Sequence, residues 1–398
     1  MKIAVIGAKG LPPKQGGIEH YCAEVYPRMV EQGHSVDLFA RSSYTDYRWF
    51  ETYDFQGVRV ITLPSLPLRG VDAFITSALG AICASGKKYD IIHFHALGPA
   101  LFTWIPRISS CAKIVVTCQG LDWQRAKWGT TSTFLIKSGE KAAVRCAHGI
   151  VVVSEALGSY FSQTYGRETV YIPNAPAGYA QSDPSFPFVK KLGLKQGRYM
   201  LFVGRLVPEK RADLLIEAFQ KLKPAGWKLV FAGGVSDTTT FTSKIYEMAS
   251  GNPDIIFAGE LRGERLAEIV RGAGLFTLPS DLEGLPLAML EGMREGIPVL
   301  ASDIPPHQQL LNEQRGTLFQ AGNVESCMRG MDWAIHHPQE IAVMAKNAKN
   351  HVDTYYTWEN ITAENLKLYA TISNSSKQSA KLDKTFKKPA EILEENRL

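Results

Sequence analysis

Short runs of apolar and β-branched residues recur along this chain, each followed by a longer stretch of mixed polarity. The first series is KIAVIG from Lys2, SVDLFA from Ser35, VRVITL from Val58, DIIHFH from Asp90, KIVVTC from Lys113 and GIVVVS from Gly149. Beyond Pro173 the pattern restarts with YMLFVG from Tyr199, KLVFAG from Lys228, DIIFAG from Asp254, LFTLPS from Leu275 and IPVLAS from Ile297. Strands that are apolar almost throughout, and not alternately, are buried on both faces. That is the signature of parallel sheets covered by helices on each side. The predicted fold class is therefore α/β, with two doubly wound, Rossmann-like domains. The segment PNAPAGYAQSDPSFP, 173–187, has the Pro, Ser, Gly and Ala content of a connector. The predicted boundaries are 1–178 for the first domain, 179–357 for the second and 358–372 for a closing helix. Residues 373–398 are polar and Lys-rich and read as a disordered tail, with a short helix in PAEILEENRL.

Composition narrows the function. With 45% hydrophobic and 21% charged residues among 398, the chain has the make-up of an ordinary globular protein. A net charge of +5 suits anionic ligands or an acidic membrane surface but is too small to point to nucleic acid. The six cysteines form no CxxC pair, and free thiols in a reducing compartment are expected. The opening MKIAVIGAKG has too short an apolar run for a signal peptide. VDAFITSALGAICASG, from Val71, is the nearest approach to a spanning segment, but Asp72 and its small polar residues make it a packed helix. A cytoplasmic protein is expected.

Five places carry candidate chemistry. In KGLPPKQGGIEHYCAEV, from Lys9, a strand runs into a loop holding Gly16 and Gly17, and a helix begins near Ile18. Paired glycines admit a ligand close to the backbone, and a helix start offers free N–H groups to an anion. The loop is neither GxGxxG nor a Walker loop, and an ordinary βα turn is equally compatible with these residues alone. In LFVGRLVPEKRADLLIEAF, from Leu201, Gly204, Arg205 and Lys210 follow a strand. A forked guanidinium and a compact ammonium in one crevice would neutralise a diphosphate, whereas an isolated pair would be surface charge.

The third place is SDLEGLPLAMLEGMREG, from Ser280, where Glu283 and Glu291 stand eight positions apart. Glu283 precedes the predicted helix, and Glu291 is expected about two turns inside it. Amides of Gly284 and Leu285, just before Pro286, would face an anion at the helix start. A carboxylate among apolar residues requires hydrogen-bond donors, and sugar hydroxyls are suitable ones. A capping acid and a solvated helix acid are the alternative. His93 and His95, in DIIHFH, share one face of a strand. Without a supporting acid a metal pair is disfavoured; one histidine is expected in the sheet and His95 at its carboxyl end. TCQGLDWQRAKWG, from Thr117, sets Trp123 and Trp128 beside Asp122, Arg125 and Lys127, a mixture suited to a sugar or lipid-diphosphate headgroup.

Taken in order, QGGIE, HFH, IPNA, VGRLVPEK and EGLPLAMLE resemble the retaining glycosyltransferases of the GT-B fold, family 4. The first half is similar to rhamnosyltransferase-like members that build bacterial polysaccharides. The resemblance extends to about Ile372. It implies that Gly16 and Gly17 offer backbone to a donor diphosphate whose charge Arg205 and Lys210 bind. It implies further that Glu291 holds ribose, Glu283 contacts the transferred sugar, and His95 lies against that sugar. Backbone near Leu261 would meet the base, Glu19 would lie on the acceptor side, and the final helix would brace the first domain. Gln119 stands where many members have the histidine of T-x-H-G. Arg211 replaces a glycine that often follows the lysine, and Pro286 replaces another.

The activity implied is transfer of a hexose from a nucleoside-diphosphate sugar to a hydroxyl of a saccharide or lipid-linked saccharide, with retention. No cofactor and no divalent metal are expected, since Arg205 and Lys210 supply the positive charge. Peripheral contact with a membrane through the Trp123–Trp128 stretch and the lysines near Lys387 is a further expectation. Two rivals share the sheet architecture: a nucleotide-dependent oxidoreductase, which lacks its GxGxxG here, and a non-catalytic nucleotide-sugar-binding protein.

Overall fold

A computed structural model describes residues 1–14, 16–65, 71–124, 129–234 and 239–385. All eleven predicted strands are present: β1 Lys2–Ile6, β2 Ser35–Arg41, β4 Val58–Leu63, β5 Ile91–His95, β6 Lys113–Cys118 and β7 Gly149–Val152, then β9 Tyr199–Val203, β10 Lys228–Ala232, β11 Ile255–Gly259, β12 Leu275–Leu278 and β13 Val299–Ser302. Three more complete the sheets: β3 Thr52–Phe55, β8 Val170–Tyr171 and β14 Thr317–Phe319. The eight-stranded sheet has the order β3-β4-β2-β1-β5-β6-β7-β8, and the six-stranded sheet β11-β10-β9-β12-β13-β14. β1 pairs in parallel with β2 and β5, and β9 with β10 and β12. The exception is β3, antiparallel to β4 across a two-residue Gln56–Gly57 turn, both residues at positive φ.

Each sheet reverses its strand order beside its first strand: between β1 and β5 in one, between β9 and β12 in the other. In open α/β sheets the crevice beyond the carboxyl ends at such a reversal is where ligands bind. The chain divides into two compact units. The first comprises Met1–Thr117, Ser138–Val151 and the chain from Thr362, and the second comprises Cys118–Lys137 and Val152–Ile361. The core of the second unit joins Met200, Leu201 and Phe202 of β9 to Leu229 and Phe231 of β10 and to Phe276 of β12. These strand residues are buried regardless of their parity, as strands covered on both faces must be.

The helix expected over 358–372 runs from Trp358 to Thr385, past the stretch whose composition pointed to a disordered tail. The rest of that stretch, with Lys387 and the short helix expected in PAEILEENRL, lies outside the described residues. From Thr362 the long helix belongs to the first unit, where Tyr369 and Asn365 are buried. No helix among the described residues is long and apolar enough to cross a membrane. All six cysteines are free; Cys22, Cys118 and Cys327 are buried, and Cys111 is exposed.

One close approach fixes local packing in the first unit. Gly139, inside the helix Thr130–Cys146, is pressed against the carbonyl of Leu97, and a Cβ there would overlap that oxygen. An alanine in a helix interior normally stabilises relative to glycine by about 0.5–1 kcal/mol. Gly139→Ala is expected to do the reverse, by about 1–3 kcal/mol of overpacking. A lowered chemical-denaturation midpoint would show it; a raised one would refute the packing.

Candidate functional site

Most sequence-predicted residues follow the strands at the two reversals, one group in each unit, whereas Leu261 follows the edge strand β11 and Asp122 and Trp123 follow β6. In the first unit β1 leads into the glycine loop, and the helix Gly17–Glu31 starts immediately after Gly16, as the sequence led one to expect. Gly16 and Gly17 are exposed, whereas Glu19 is buried. Its carboxylate folds back on the loop and accepts the Lys9 N–H at 2.8 Å. Glu19, expected on the acceptor side, is thus engaged in holding the loop's shape. Gln15 of the motif lies outside the described residues.

His93 and His95 share one face of β5, and their rings stack with centroids 4.4 Å apart. Both are completely buried. The Tyr26 hydroxyl lies 2.7 Å from Nε2 of His95 and 3.2 Å from Nδ1 of His93. The same Nδ1 meets the Tyr369 hydroxyl at 2.6 Å, and Nε2 of His93 meets Thr117 Oγ1 at 2.7 Å. Burial holds His93 well below the usual imidazole range, with His95 adding to the effect. Burial alone pushes His95 down to about 3. Both rings are therefore neutral near pH 7, and His95 Nδ1 is buried without a hydrogen-bond partner among the described residues. The next residue, Ala96, has φ 72 and ψ 158, a region that essentially only glycine enters without strain. Local strain beside an orphaned imidazole nitrogen is typical of a functional strand end.

In the second unit β9 ends at Gly204, whose N–H donates to Ala232 O at 3.0 Å. Arg205 follows, exposed, with no side-chain hydrogen bond or ion pair among the described residues. Lys210 ends a short 3-10 turn, Pro208–Lys210, and its ammonium forms an ion pair with Glu283. Glu283 follows the neighbouring strand β12 and also accepts a hydrogen bond from Ser280 Oγ at 2.7 Å. Burial raises the Glu283 pKa, but Lys210, with smaller contributions from His307 and Ser280, outweighs it and leaves it lowered. His307 is fully buried; its Nδ1 lies 2.9 Å from Ser302 O, and burial pushes it down to about 4.

Glu291 lies in the helix Leu287–Arg294, as its fifth residue. At 3.6 residues per turn that is just over one turn, not the two expected. Pro286 caps the helix, so Gly284 and Leu285 belong to the preceding loop rather than to its first turn. The Tyr179 hydroxyl donates to Glu291 Oε2 at 2.9 Å. Burial nevertheless raises Glu291 to about 7. Gly284 is pressed against the carbonyl of Gln119, where any Cβ would clash. Gln119, at the departure from T-x-H-G, accepts from Asn174 Nδ2 of IPNA at 2.7 Å. Leu261 follows β11 and packs partly buried against the core. Asp122 and Trp123 lie in a short 3-10 turn, with Lys137 Nζ 4.2 Å from the Trp123 ring. Arg125, Lys127 and Trp128 lie outside the described residues.

The departure at Arg211 has a physical explanation. Its φ of 51 and ψ of 43 are left-handed, the conformation glycine takes at least cost. Ion pairs from its guanidinium to Asp281 at 3.0 Å and Asp213 at 3.2 Å offset that penalty. Sequence reasoning missed the partners: Tyr26, Tyr369, Tyr179, Ser280 and His307. Ser280, Tyr179 and Asn174 lay within quoted segments, but none of them was given a role there.

Removing the lysine tests the buried pair. Lys210→Met leaves Glu283 enclosed without its cation, at a cost of about 3–5 kcal/mol. The sign with pH follows from the lowered Glu283 pKa. In the native protein the pair contributes stability above the unfolded carboxyl range and loses it as pH falls through the folded value. In the variant burial acts alone and raises that pKa, so stability falls as pH rises. The stability gap between the two proteins should widen from pH 4.5 to 7.5 in denaturant titrations. A gap independent of pH would exclude an uncompensated carboxylate.

Two family models match the chain. Residues 16–175 match a "Glycosyl transferase 4-like domain" and residues 187–351 match "Glycosyl transferases group 1". Among curated relatives, a D-inositol 3-phosphate glycosyltransferase of Gordonia bronchialis is 25% identical over 90% of this chain and 85% of its own. A glycosyltransferase of Methanocaldococcus jannaschii is 24% identical over 93% and 98%. Among solved structures, sucrose-phosphate synthase from Thermosynechococcus elongatus superposes with a TM-score of 0.78 at 19% identity, covering 94% of this chain and 99% of that one. Anabaena HepE in complex with UDP-glucose gives 0.76 at 18%, covering 93% and 100%. With both sheets, both strand-order reversals and both matched domains in place, the chain belongs to the GT-B glycosyltransferases, with a family 4-like first domain and a group 1 second domain.

Proposed function

We propose that this glycosyltransferase moves a hexose from a nucleoside-diphosphate sugar to a hydroxyl of a saccharide or lipid-linked saccharide, with retention, in cell-surface polysaccharide synthesis. The observation that carries the reading is Arg205: a guanidinium with no side-chain partner among the described residues, just past the end of the strand beside the reversal and five residues before Lys210 of the Lys210–Glu283 pair. HepE, crystallised with UDP-glucose, supports a nucleotide-sugar donor. Breaking the bond to a leaving diphosphate separates an oxocarbenium-like sugar from concentrated negative charge. Fixed cations there lower the barrier because they need no reorganisation. Arg205 supplies an uncommitted charge and forked donors, and Lys210 an ammonium already oriented by Glu283. In this reading they do the work that a divalent ion performs elsewhere.

Glu283 is engaged by Lys210 and by Ser280, so its lone pairs orient a cation and a sugar hydroxyl rather than attack the anomeric carbon. Retention then follows from attack on the face the leaving diphosphate departs from, with that phosphate accepting the acceptor's proton. Glu291, partly open, suits the ribose hydroxyls. The reading includes a cytoplasmic location and peripheral membrane contact, motivated by the lipid-linked acceptors of polysaccharide assembly and the net charge of +5.

A screen of UDP-, GDP-, ADP- and dTDP-sugars for release of nucleoside diphosphate identifies the donor. With that donor saturating, Arg205→Ala should lower turnover by about 100- to 1,000-fold, the loss of one charge-stabilising donor. Near-normal turnover would remove Arg205 from the reaction.

A further inference from the structure

The connector between the two series of strands is strapped down where the sequence suggested slack. Arg294 donates to Pro176 O at 3.3 Å. Arg271 donates to Ala180 O and to Ser182 Oγ, both at 2.8 Å, while pairing with Glu295. Between these anchors, the Tyr179 hydroxyl reaches the carboxylate of Glu291. An ionised carboxylate offers about four acceptor sites. The tyrosine takes one, which leaves room for the two hydroxyls of a vicinal diol.

We propose that Tyr179 is a positioning residue for the donor: its hydroxyl fixes Glu291 as an oriented, ionised acceptor whose remaining sites read the ribose diol. This rests on the reading of Glu291 as the ribose contact. The helix of Glu291 ends in Arg294 with Glu295 just after it, and the helix Gly263–Arg271 ends in Arg271; of these, Glu295 and Arg271 act on the Tyr179 hydroxyl. Burial drives the Glu291 pKa up, and the Tyr179 hydrogen bond pulls against it, leaving it at about 7. A protonated carboxyl is a poorer acceptor, so diol binding weakens as pH falls through that range. Removing the tyrosine hydroxyl moves the transition to higher pH.

The test uses Tyr179→Phe, which keeps the ring and its packing. Affinities for UDP, GDP, ADP and dTDP are measured calorimetrically at pH 7 and pH 9 for the native chain, Y179F and E291Q. At pH 7 the variant should bind its preferred nucleotide about tenfold more weakly, the worth of one hydrogen bond to a charged group. At pH 9, where both carboxylates are ionised, the difference should shrink to about twofold. E291Q should bind weakly with no such pH dependence. Equal losses at both pH values, or none, would overturn the proposal. If no nucleoside diphosphate binds the native chain, the nucleotide-sugar reading fails instead. The clamp is then judged on the Glu291 carboxyl resonance in ¹³C-glutamate-labelled protein, assigned with E291Q. Its midpoint must rise in Y179F, and an unchanged midpoint sinks the inference.

Discussion

The contact between Lys210 and Glu283 joins two loops that the chain otherwise keeps far apart, one following β9 and one following β12. Taking both charges out of water is expensive, and attraction repays the cost only when the remaining hydrogen-bonding capacity is filled. The surroundings meet that condition. Ser280 donates to Glu283, and the Ser280 carbonyl accepts from Ser302 Oγ at 2.5 Å, which ties in the end of β13. Three adjacent strands are thereby coupled at their carboxyl ends. Arg205 stands beside this framework with its guanidinium uncommitted, and that contrast between a satisfied cation and an open one gives the crevice its chemical character.

The first unit solves a different problem, that of neutral polar groups in a dry interior. Two imidazoles on one strand face would repel if charged, and burial keeps them neutral. Hydroxyls from Tyr26, Thr117 and Tyr369 satisfy three of their four nitrogens. Because Tyr369 comes from the long closing helix, the environment of His93 depends on a residue 276 positions away. That helix is accordingly part of the strand end's chemistry as well as of its packing.

Much of this was legible in the sequence because buried parallel strands leave an uninterrupted apolar trace, and all eleven such runs became strands. The missed elements lack that trace. TYDF alternates and sits at a sheet edge, its one signal being the Gln56–Gly57 turn, while β8 and β14 are too short for any pattern. The motif residues were found because loop chemistry at strand ends uses distinctive types: paired glycines, Arg with Lys, spaced acids. Their partners were not. Tyr179, Ser280 and His307 are common residues whose importance arises only from proximity. The depth assigned to Glu291 was wrong by about a turn: the helix starts at Leu287, as predicted, which makes Glu291 its fifth residue.

Arg211 has a consequence for how a charged ligand would be held. By occupying a backbone conformation suited to glycine, it brings a guanidinium to Asp281 and Asp213, which would otherwise project negative potential beside the strand end. Counted with Arg205, the three cations Arg205, Lys210 and Arg211 face the three carboxylates Glu283, Asp281 and Asp213, and the cluster is neutral. A pyrophosphate arriving there would meet little long-range field, and its grip would depend on short-range geometry. Added electrolyte, which screens distant charges far more than touching ones, would then loosen it only slightly.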